Sequence, residues 1–319
     1  MFIADGWKDY EVIDTSKGEK LERWGDYLLV RPDPQVIWDT PKTHRGWKKM
    51  NGHYHRSSKG GGEWEFFNLP NEWTIGYELG GANGIGLAVA TLLAEDERFG
   101  RVSIVDRQEV AAEFCHPKFK SHILDLRSGD YALFDTFTDV DTLLITAGFG
   151  RLAHFADVDE EHIIDSFAVN STAVIRIIRH FYERISSPED FYCGVMGSIA
   201  GFISSPLFAV YGATKAALKI FIESVNVELE MAGTTNRILN ISPGSIKGTA
   251  FYNGANDLNI TRQLATEILS HLWAKDDLFI PQYEEVFKEV LERYHRDFRA
   301  EGRHSYNYKM QSGRIKTQK

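Results

Sequence analysis

The sequence predicts an α/β protein, in which a Rossmann-type doubly wound parallel sheet is preceded by a small β-rich N-terminal unit. Three observations lead to this fold class. Strand-like and helix-like segments alternate after Gly80, a glycine-rich turn opens that region, and residues 1–72 have a different, tryptophan-rich composition.

From Gly80 onward, apolar runs bounded by turns alternate with longer segments of helical period. The predicted strands are "RVSIVD", "SHILDL", "TLLITAG", "YCGVMGS" and "RILNISPG". The predicted helices are "IGLAVATLLAEDE", "DEEHIIDSFAVNSTAVIRIIRHFYERI" and "YGATKAALKIFIESVNVELEMAG". Alternation at these lengths indicates βαβ units, in which helices cover both faces of a parallel sheet.

The front of the chain is predicted to be a separate domain. Residues 1–72 hold five of the seven tryptophans, and short apolar pieces alternate there with turn signals such as "RPDP" and "KGGGE". We therefore predict a small β-rich domain over 1–72 and a Rossmann domain over 73–319. The segment "YEEVFKEVLERYHRDF" predicts a helix in a C-terminal extension over about 283–319, with a basic tail after Gly302 that packs late or stays partly disordered.

Composition and charge exclude several classes of protein. The 319 residues are 43% hydrophobic and 25% charged, and the net charge of -9 argues against nucleic-acid binding by the bulk of the chain. The start "MFIADGWKDYEVID" does not match a signal peptide, so we expect a cytoplasmic protein. Cys115 and Cys193 match no metal or redox spacing, so we expect two buried thiols and no metal.

One local charge pattern runs against the acidic total. Between Asp39 and Glu63 the chain has no acidic residue but six basic ones. They are Lys42, Arg45, Lys48, Lys49, Arg56 and Lys59. The pattern allows either a solvated loop or a site for a polyanion such as RNA, and the loop is the simpler interpretation.

The stretch "GGANGIG" predicts a turn that holds a dinucleotide pyrophosphate. Gly80, Gly84 and Gly86 let backbone N–H groups approach phosphate oxygens, and the helix that follows directs its positive end at them. Such a turn can also simply join a strand to a helix. The residues that follow it therefore decide between a phosphate-binding turn and a connecting turn.

Two strand ends indicate the remainder of a nucleotide site. Asp106 ends "RVSIVD", where a carboxylate can accept both ribose hydroxyls and repel a 2′-phosphate, which favours NAD. Arg107 beside it can instead accept that phosphate, so NADP stays open. Asp125, before Leu126, can hold the adenine amino group. The alternative for each aspartate is a structural cap, and for Asp125 the chemistry alone favours neither interpretation.

The most informative stretch is "GSIAGFISSPLFAVYGATK". Tyr211 and Lys215 are four residues apart at the start of a predicted helix, so they share one face. A lysine charge there is expected to lower the pKa of the phenol and fit it for proton exchange with an alcohol or ketone. Ser198 follows a strand at the sheet edge where ligands dock, and its hydroxyl can orient the reacting oxygen.

From about residue 80 to 285 the chain resembles the short-chain dehydrogenase/reductase family. The residues that carry the resemblance are "GGANGIG", Asp106, "DL" at 125–126, "TAG" at 146–148, Asn170, Ser198, "YGATK" at 211–215 and "PGSIKGT" at 243–249. They occur in the family's order, with thirteen residues from Ser198 to Tyr211.

The resemblance implies hydride transfer between NAD(P) and a small alcohol or ketone, and a homodimer or homotetramer. It makes Tyr211 the general acid/base, Ser198 the group that positions the substrate oxygen, Asn170 the holder of a proton-relay water, and Lys215 also a ligand of the nicotinamide ribose. It further implies cofactor contacts by Gly80, Asn83, Gly84, Ile85, Gly86, Asp106, Arg107, Asp125, Leu126, Ala147, Gly148, Tyr211, Lys215, Pro243, Gly244, Ile246 and Thr249.

The chain departs from the family pattern at three places. Leu79 stands where a threonine is usual before the first glycine, and Ile145 and Thr146 stand where two asparagines are usual. The loop "PGSIKGT" is one residue longer than the commonest spacing, which changes the position of Thr249 within the loop. The catalytic groups are unaffected.

Residues 1–79 resemble the small N-terminal β unit of a bacterial class I SAM-dependent methyltransferase family that acts on RNA. No methyltransferase domain follows, so the resemblance implies at most an RNA-facing surface. The junction falls at about Leu79–Gly80, so "WTIGYEL" must serve as the first strand of the Rossmann sheet. Gly76 and Glu78 suit a buried central strand poorly.

Three functions therefore stay open at this point. The first is an NAD(P)-dependent oxidoreductase. The second is a cofactor-binding fusion protein that is weakly active or inactive, because its first strand is borrowed. The third is an RNA-associated protein that acts through residues 1–72.

Overall fold

The polypeptide divides into two units, Met1–Gly80 and Gly81–Lys319. The computed structural model describes residues 10–57, 61–69, 84–127, 130–246 and 258–312. The predicted domain boundary at 72/73, the junction at Leu79–Gly80 and the strand "WTIGYEL" lie outside these described residues.

The first unit contains a five-stranded sheet with the order β1-β2-β3-β4-β5. Its strands are β1 Tyr10–Ser16, β2 Glu19–Trp24, β3 Tyr27–Pro32, β4 Gly52–Arg56 and β5 Gly62–Phe66. Neighbouring strands are antiparallel except for β3 and β4, which run parallel. Leu21, Val30 and Trp47 form its small buried core, and the Trp47 indole donates a hydrogen bond to Asp14 at 2.7 Å. This β-rich region agrees with the predicted fold class.

The second unit alternates strands and helices as predicted. Its strands are β6 Val102–Asp106, β7 Phe119–Ile123, β8 Thr142–Ile145, β9 Tyr192–Met196, β10 Ile238–Ile241 and β11 Leu278–Phe279. Its helices are α1 Gly84–Glu95, α2 Glu160–Phe167, α3 Val174–Ile185, α4 Ala209–Met231, α5 Leu258–Ala274, α6 Lys288–Arg296 and α7 Phe298–Gln311. Among the described strands, β6 pairs with β7, and β8, β9, β10 and β11 form a second group, all parallel.

Helices cover both faces of the sheet. Cys193 and Val195 on β9 pack with α3 and α4 on one face, while Leu239 and Ile241 on β10 pack with α1 and α5 on the other. Successive side chains of a strand point to opposite faces, so strands buried on both sides have continuous apolar sequences. This arrangement brings the carboxyl ends of the strands to one edge, where ligands of such sheets bind.

The C-terminal extension differs from the sequence expectation. Asp297 interrupts the predicted helix with extended backbone and caps α7 by accepting hydrogen bonds from the N–H groups of Arg299 and Ala300. Helix α7 then continues past Gly302, which is buried, to Gln311. The described part of the predicted basic tail is therefore an ordered, packed helix, because Asp297 supplies an N-cap that restarts helical structure.

Two expectations about exposure were also tested. Cys193 is buried as predicted, but Cys115 is exposed, because it follows a short 3-10 turn over Ala112–Phe114 and does not lie in the core. Within the described ranges no helix combines the length and apolar character needed to cross a membrane.

Candidate active site

Ser198 lies two residues beyond the end of β9 and begins the candidate active site. Its side-chain oxygen accepts a hydrogen bond from the N–H of Ala200 at 3.2 Å and caps the short 3-10 turn Ile199–Gly201. Ser198 is almost fully buried. The cap fixes the hydroxyl at the carboxyl edge of the sheet, where the sequence placed it.

Tyr211 is the third residue of α4, and its phenol forms a hydrogen bond with the Ser198 side chain. Burial raises the pKa of Tyr211 to about 12, and the bond with Ser198 lowers it only in part. The expectation that Lys215 would lower this pKa is therefore not met, because removal of the phenol from water is the larger effect. At neutral pH the phenol is protonated, which is the form that can donate a proton.

Lys215 lies one turn further along α4, and it is buried. Its Nζ donates a hydrogen bond to the carbonyl oxygen of Met196 at 2.7 Å and lies 5.7 Å from the centre of the Tyr211 ring. Burial lowers the pKa of Lys215 to about 8. The ammonium therefore still predominates at pH 7, and its charge is held close to the phenol.

Asn170 lies in a π-helical segment, Ala168–Ala173, between α2 and α3. Its amide accepts a hydrogen bond from the N–H of Phe149 at 2.9 Å and donates one to the carbonyl oxygen of Phe149 at 2.8 Å. It also donates to the Thr214 hydroxyl at 3.2 Å. Asn170 thus joins the loop after β8 to α4, and π-helical turns of this kind are frequent at functional sites.

Gly148 passes close to two of these side chains. A Cβ added there would lie 3.2 Å from Nζ of Lys215 and 3.3 Å from Oδ1 of Asn170. Only glycine leaves this space open where Ala147 and Gly148 leave β8. The structure thus brings Asn170, Ser198 and Lys215 together with Tyr211, and their proposed catalytic roles stay predictions.

The glycine-rich turn is described only from Gly84 onward, where α1 begins. Gly84 has a positive φ of 60°, which glycine adopts without strain. A Cβ on Gly86 would press on the Thr146 hydroxyl, so the start of α1 packs directly on the end of β8. Ile85 is half-buried against the core on the α1 face. Gly80 and Asn83 lie outside the described residues.

Asp106 ends β6, as predicted, and lies mostly out of solvent. Burial raises the pKa of its carboxyl group, while a hydrogen bond from the N–H of Gln108, at 3.1 Å, and the charge of Arg107 lower it. One carboxylate oxygen thus holds the local turn, as the structural interpretation requires, and the contact of Asp106 with the cofactor ribose stays a prediction. Arg107 is exposed beside it.

Asp125 lies two residues beyond β7 and is bound by Arg127. The guanidinium contacts both carboxylate oxygens, with a shortest distance of 2.6 Å, and this ion pair lowers the pKa of Asp125. Arg127 also contacts Asp165 at 2.9 Å. Leu126, the next cofactor candidate, packs against the core on the α3 face. Asp125 is therefore held in place by an ion pair that sequence reasoning did not include.

The loop after β10 carries the last cofactor candidates. Pro243 accepts a hydrogen bond from the N–H of Ile199 at 3.1 Å, which joins this loop to the turn after Ser198. A Cβ on Gly244 would lie 2.6 Å from the Phe287 ring, so Phe287 covers this turn. Ile246 packs against the core that includes α1 and α5. Thr249 lies outside the described residues.

Sequence reasoning did not identify the aromatic and basic groups that support Tyr211. The Phe208 ring stacks on the Tyr211 ring, with centres 4.3 Å apart and an interplanar angle of 22°. Lys309 on α7 donates hydrogen bonds to the Ser205 hydroxyl at 2.6 Å and to the Pro206 carbonyl oxygen at 2.9 Å. Phe208 was visible next to the "YGATK" motif, whereas no sequence pattern links Lys309 to a segment about a hundred residues earlier.

Leu207, between these anchors and Phe208, has a left-handed backbone with φ of 64°. A bulky residue in this region is strained and persists only where its surroundings hold it. Its carbonyl oxygen accepts a hydrogen bond from the N–H of Ala153 at 2.9 Å. The segment that leads into Tyr211 is thus held from the β8 side and from α7.

The glycine positions fit a dinucleotide cofactor. A Cβ on Gly86 would press on Thr146, so this glycine allows the close helix–strand packing that a dinucleotide-binding turn requires. At Gly148 the absence of a Cβ lets the chain pass close to Lys215 and Asn170. Lys215 provides a buried charge beside Gly148.

Comparison with known proteins places residues 78–258 within the model of the family described as short chain dehydrogenase. The chain is 24% identical to the uncharacterized oxidoreductase TDA5 of Saccharomyces cerevisiae over 181 residues, which are 54% of this chain and 55% of that protein. It is 27% identical to an NADP-dependent (R)-specific alcohol dehydrogenase of Lentilactobacillus kefiri over 182 residues, which are 53% of this chain and 71% of that protein. The chain thus spans only about half the length of the yeast relative.

Two solved structures show the same fold. An alcohol dehydrogenase of Thermococcus sibiricus complexed with 5-hydroxy-NADP matches with a TM-score of 0.52 and 19% identity, over 63% of this chain and 92% of that chain. A short-chain dehydrogenase of Sphingobium yanoikuyae in complex with NADPH matches with a TM-score of 0.54 and 20% identity, over 68% and 93%. These likenesses confirm the predicted Rossmann-type α/β class.

Proposed function

This chain belongs to the short chain dehydrogenase family, and on that premise we propose that it interconverts a secondary alcohol and a ketone, with Tyr211 as general acid/base. The family match over residues 78–258 confirms the predicted resemblance to this family, and the activity that we propose from it is that of an NAD(P)-dependent oxidoreductase. The resemblance of residues 1–79 to a methyltransferase unit, and the domain limits 1–72 and 73–319, stay predictions.

One observation carries the proposal. The phenol of Tyr211 forms a hydrogen bond with Ser198, while Nζ of the buried Lys215 lies 5.7 Å from the centre of the phenol ring. A hydroxyl, a phenol and a cation at one edge of a parallel sheet form a set that can bind a carbonyl oxygen and protonate it.

The protein's part in the reaction follows from these groups. When bound, the cofactor supplies or accepts the hydride at its nicotinamide ring. Tyr211 donates the proton to the carbonyl oxygen during reduction and takes it back during oxidation. Ser198 orients that oxygen, and the charge of Lys215 favours the phenolate that remains after proton transfer. Because burial raises the pKa of Tyr211 to about 12, the phenol is protonated at neutral pH and can donate the proton that reduction needs.

We propose NAD as the cofactor, with NADP as the alternative. Asp106 at the end of β6 supports NAD, because its carboxylate can accept the ribose hydroxyls and would repel a 2′-phosphate. Arg107 supports NADP, as does the cofactor named for the Lentilactobacillus kefiri relative. We propose further that the protein is cytoplasmic and forms a homodimer or homotetramer, and that its substrate is a small alcohol or ketone.

The test is a titration of the full chain with NADH and with NADPH, followed by cofactor oxidation with a panel of small ketones. The proposal predicts saturable binding, tighter for NADH, and turnover of at least one ketone. Binding without any turnover would favour the alternative of an inactive cofactor-binding fusion protein.

An RNA-associated role for the front unit has less support. Lys42, one of the six basic residues, contacts the Glu19 carboxylate and lies 4.1 Å from the centre of the Trp47 ring, so its charge is partly engaged within the unit. Arg45, Lys48 and Lys49 are exposed, as either interpretation of the patch requires.

A further inference from the structure

The hairpin β4–β5 in the first unit carries, on one face, three side chains of the types that bind metal ions in proteins. His53 and His55 are two residues apart on β4, so both point to the same side of the sheet. Glu65 on β5 is directly opposite His53 and shares that face. None of these residues has a part in the proposed dehydrogenase reaction.

The potential ligand atoms are already close together. Each residue offers one nitrogen or oxygen such that the three atoms lie within 4.8 Å of one another. The two imidazole rings have centres 4.0 Å apart, and Nε2 of His55 lies 3.0 Å from a carboxylate oxygen of Glu65. Ligand atoms around a tetrahedral zinc ion are about 3.3 Å apart, because each bond is about 2.0–2.1 Å long. His55 and Glu65 are about half exposed, so small side-chain rotations can close the remaining distance.

The charges around the cluster favour a cation. The Glu19 carboxylate on β2 lies within hydrogen-bond distance of Nε2 of His53, at 2.7 Å. A carboxylate partner of this kind orients many metal-binding histidines. Glu63 lies opposite His55 on the same face of the hairpin and adds a further negative charge. Lys42, the nearby base, is already in contact with Glu19.

We propose that His53, His55 and Glu65 form a zinc site, with water completing the coordination. Two imidazoles and one carboxylate match the ligand preference of Zn²⁺, and three protein ligands leave an open fourth position. Zinc bound there would join β4 to β5 and stabilise the hairpin. The signal in the sequence is "HYH", followed ten residues after His55 by a glutamate, but only the strand register shows that these residues meet.

The test is isothermal titration of the metal-free full chain with ZnCl2 in a buffer without chelators. We expect one saturable site per chain, and we expect His55→Ala and Glu65→Gln each to weaken binding by at least about tenfold, because each removes a direct ligand. His304→Ala, which removes an exposed histidine from α7, is the matched control and should leave binding unchanged. Both cluster variants alter half-exposed side chains, so circular dichroism without zinc should match that of the unmodified chain.

The melting temperature provides a second readout. Zinc that binds the folded state alone should raise it in the unmodified chain and in His304→Ala, but not in His55→Ala. The proposal is wrong if the unmodified chain shows no saturable binding, or if His55→Ala and Glu65→Gln bind zinc as tightly as the unmodified chain does. A failure here leaves the dehydrogenase proposal untouched, because the two depend on different residues.

Discussion

At the scale of single residues, burial determines the protonation of the two key groups on α4. It raises the pKa of Tyr211 to about 12 and lowers that of Lys215 to about 8. The phenol is therefore a proton donor at neutral pH. The lysine carries a charge that is removed from water on folding, which is unfavourable. Its ammonium donates a hydrogen bond to the carbonyl oxygen of Met196.

The unfavourable burial of the Lys215 ammonium leads to a prediction for Lys215→Met. The folded-state pKa of Lys215 lies below its ordinary value of 10.5, so the unfolded chain binds more protons between pH 8 and 10.5. Below pH 8 the full penalty, about 3 kcal/mol, lowers the free energy of unfolding, and the penalty is relieved as the pH rises through that window. We expect the variant to be more stable than the unmodified chain at pH 7, by a margin that shrinks toward pH 10, and to lose at least about 100-fold in turnover.

Denaturant unfolding at several pH values between 7 and 10 measures this margin. Lys288→Met, which removes an exposed lysine on α6, is the control and should show no such change over this range. A margin that stays constant with pH would mean that the Lys215 ammonium is not penalised by burial.

At the scale of elements, the contact between α1 and β8 controls the proposed cofactor turn. A Cβ on Gly86 would press on the Thr146 hydroxyl, so Gly86→Ala must displace the start of α1 or the end of β8. Overpacking of this kind typically costs about 1–3 kcal/mol of folding free energy. A shift of α1 that relieves it also moves the proposed pyrophosphate contacts, so we expect NADH binding to weaken by about tenfold.

The double variant Gly86→Ala with Thr146→Ala tests the cause. Removal of the hydroxyl that the new methyl group meets should restore part of the NADH affinity, which fluorescence titration measures. Unchanged NADH affinity in a folded Gly86→Ala variant would show that this turn does not hold the cofactor.

Helix α7 supports the active site from the other side. Lys309 donates hydrogen bonds to Ser205 and Pro206. Leu207, which has a strained backbone, and then Phe208 connect this segment to Tyr211. We expect Lys309→Met to lower kcat/KM for a ketone several-fold, because the loss of charge-assisted hydrogen bonds loosens this segment. The dissociation constant of NADH should be unchanged.

Steady-state kinetics measures both quantities. Lys309→Arg keeps a charged donor and should recover most of the activity, and Lys288→Met on α6 controls for loss of a surface charge. Equal kcat/KM in Lys309→Met and the unmodified chain would show that α7 does not support the active site.

At the scale of the whole molecule, local sequence patterns predicted those strands and site residues whose positions depend only on nearby residues in the chain. Apolar runs located β6 and β8 to β10 because a strand buried on both faces needs continuous apolar residues. Ser198, Tyr211 and Lys215 were predicted together because a strand end and one helical turn fix their spacing. The hairpin beneath His53 and His55 was predicted only as β-rich structure.

Features that depend on distant contacts were not predictable. Nothing local to Lys309 or Phe287 indicates that they pack on the segments before Tyr211 and around Gly244. The raised pKa of Tyr211 was missed because burial is a property of the folded chain. The helical break at Asp297 was missed because apolar spacing continued through it, while the cap needed only one aspartate.

The central claim is that this chain transfers a hydride to a ketone and that Tyr211 supplies the proton. The most direct measurement is mass spectrometry of the alcohol formed by the full chain from a ketone and NADH or NADPH deuterated at the transferable C4 position. We expect one deuterium on the carbinol carbon, and at least about a 100-fold lower rate in Tyr211→Phe with NADH binding retained. An alcohol without deuterium, or a Tyr211→Phe variant as fast as the unmodified chain, would contradict the account.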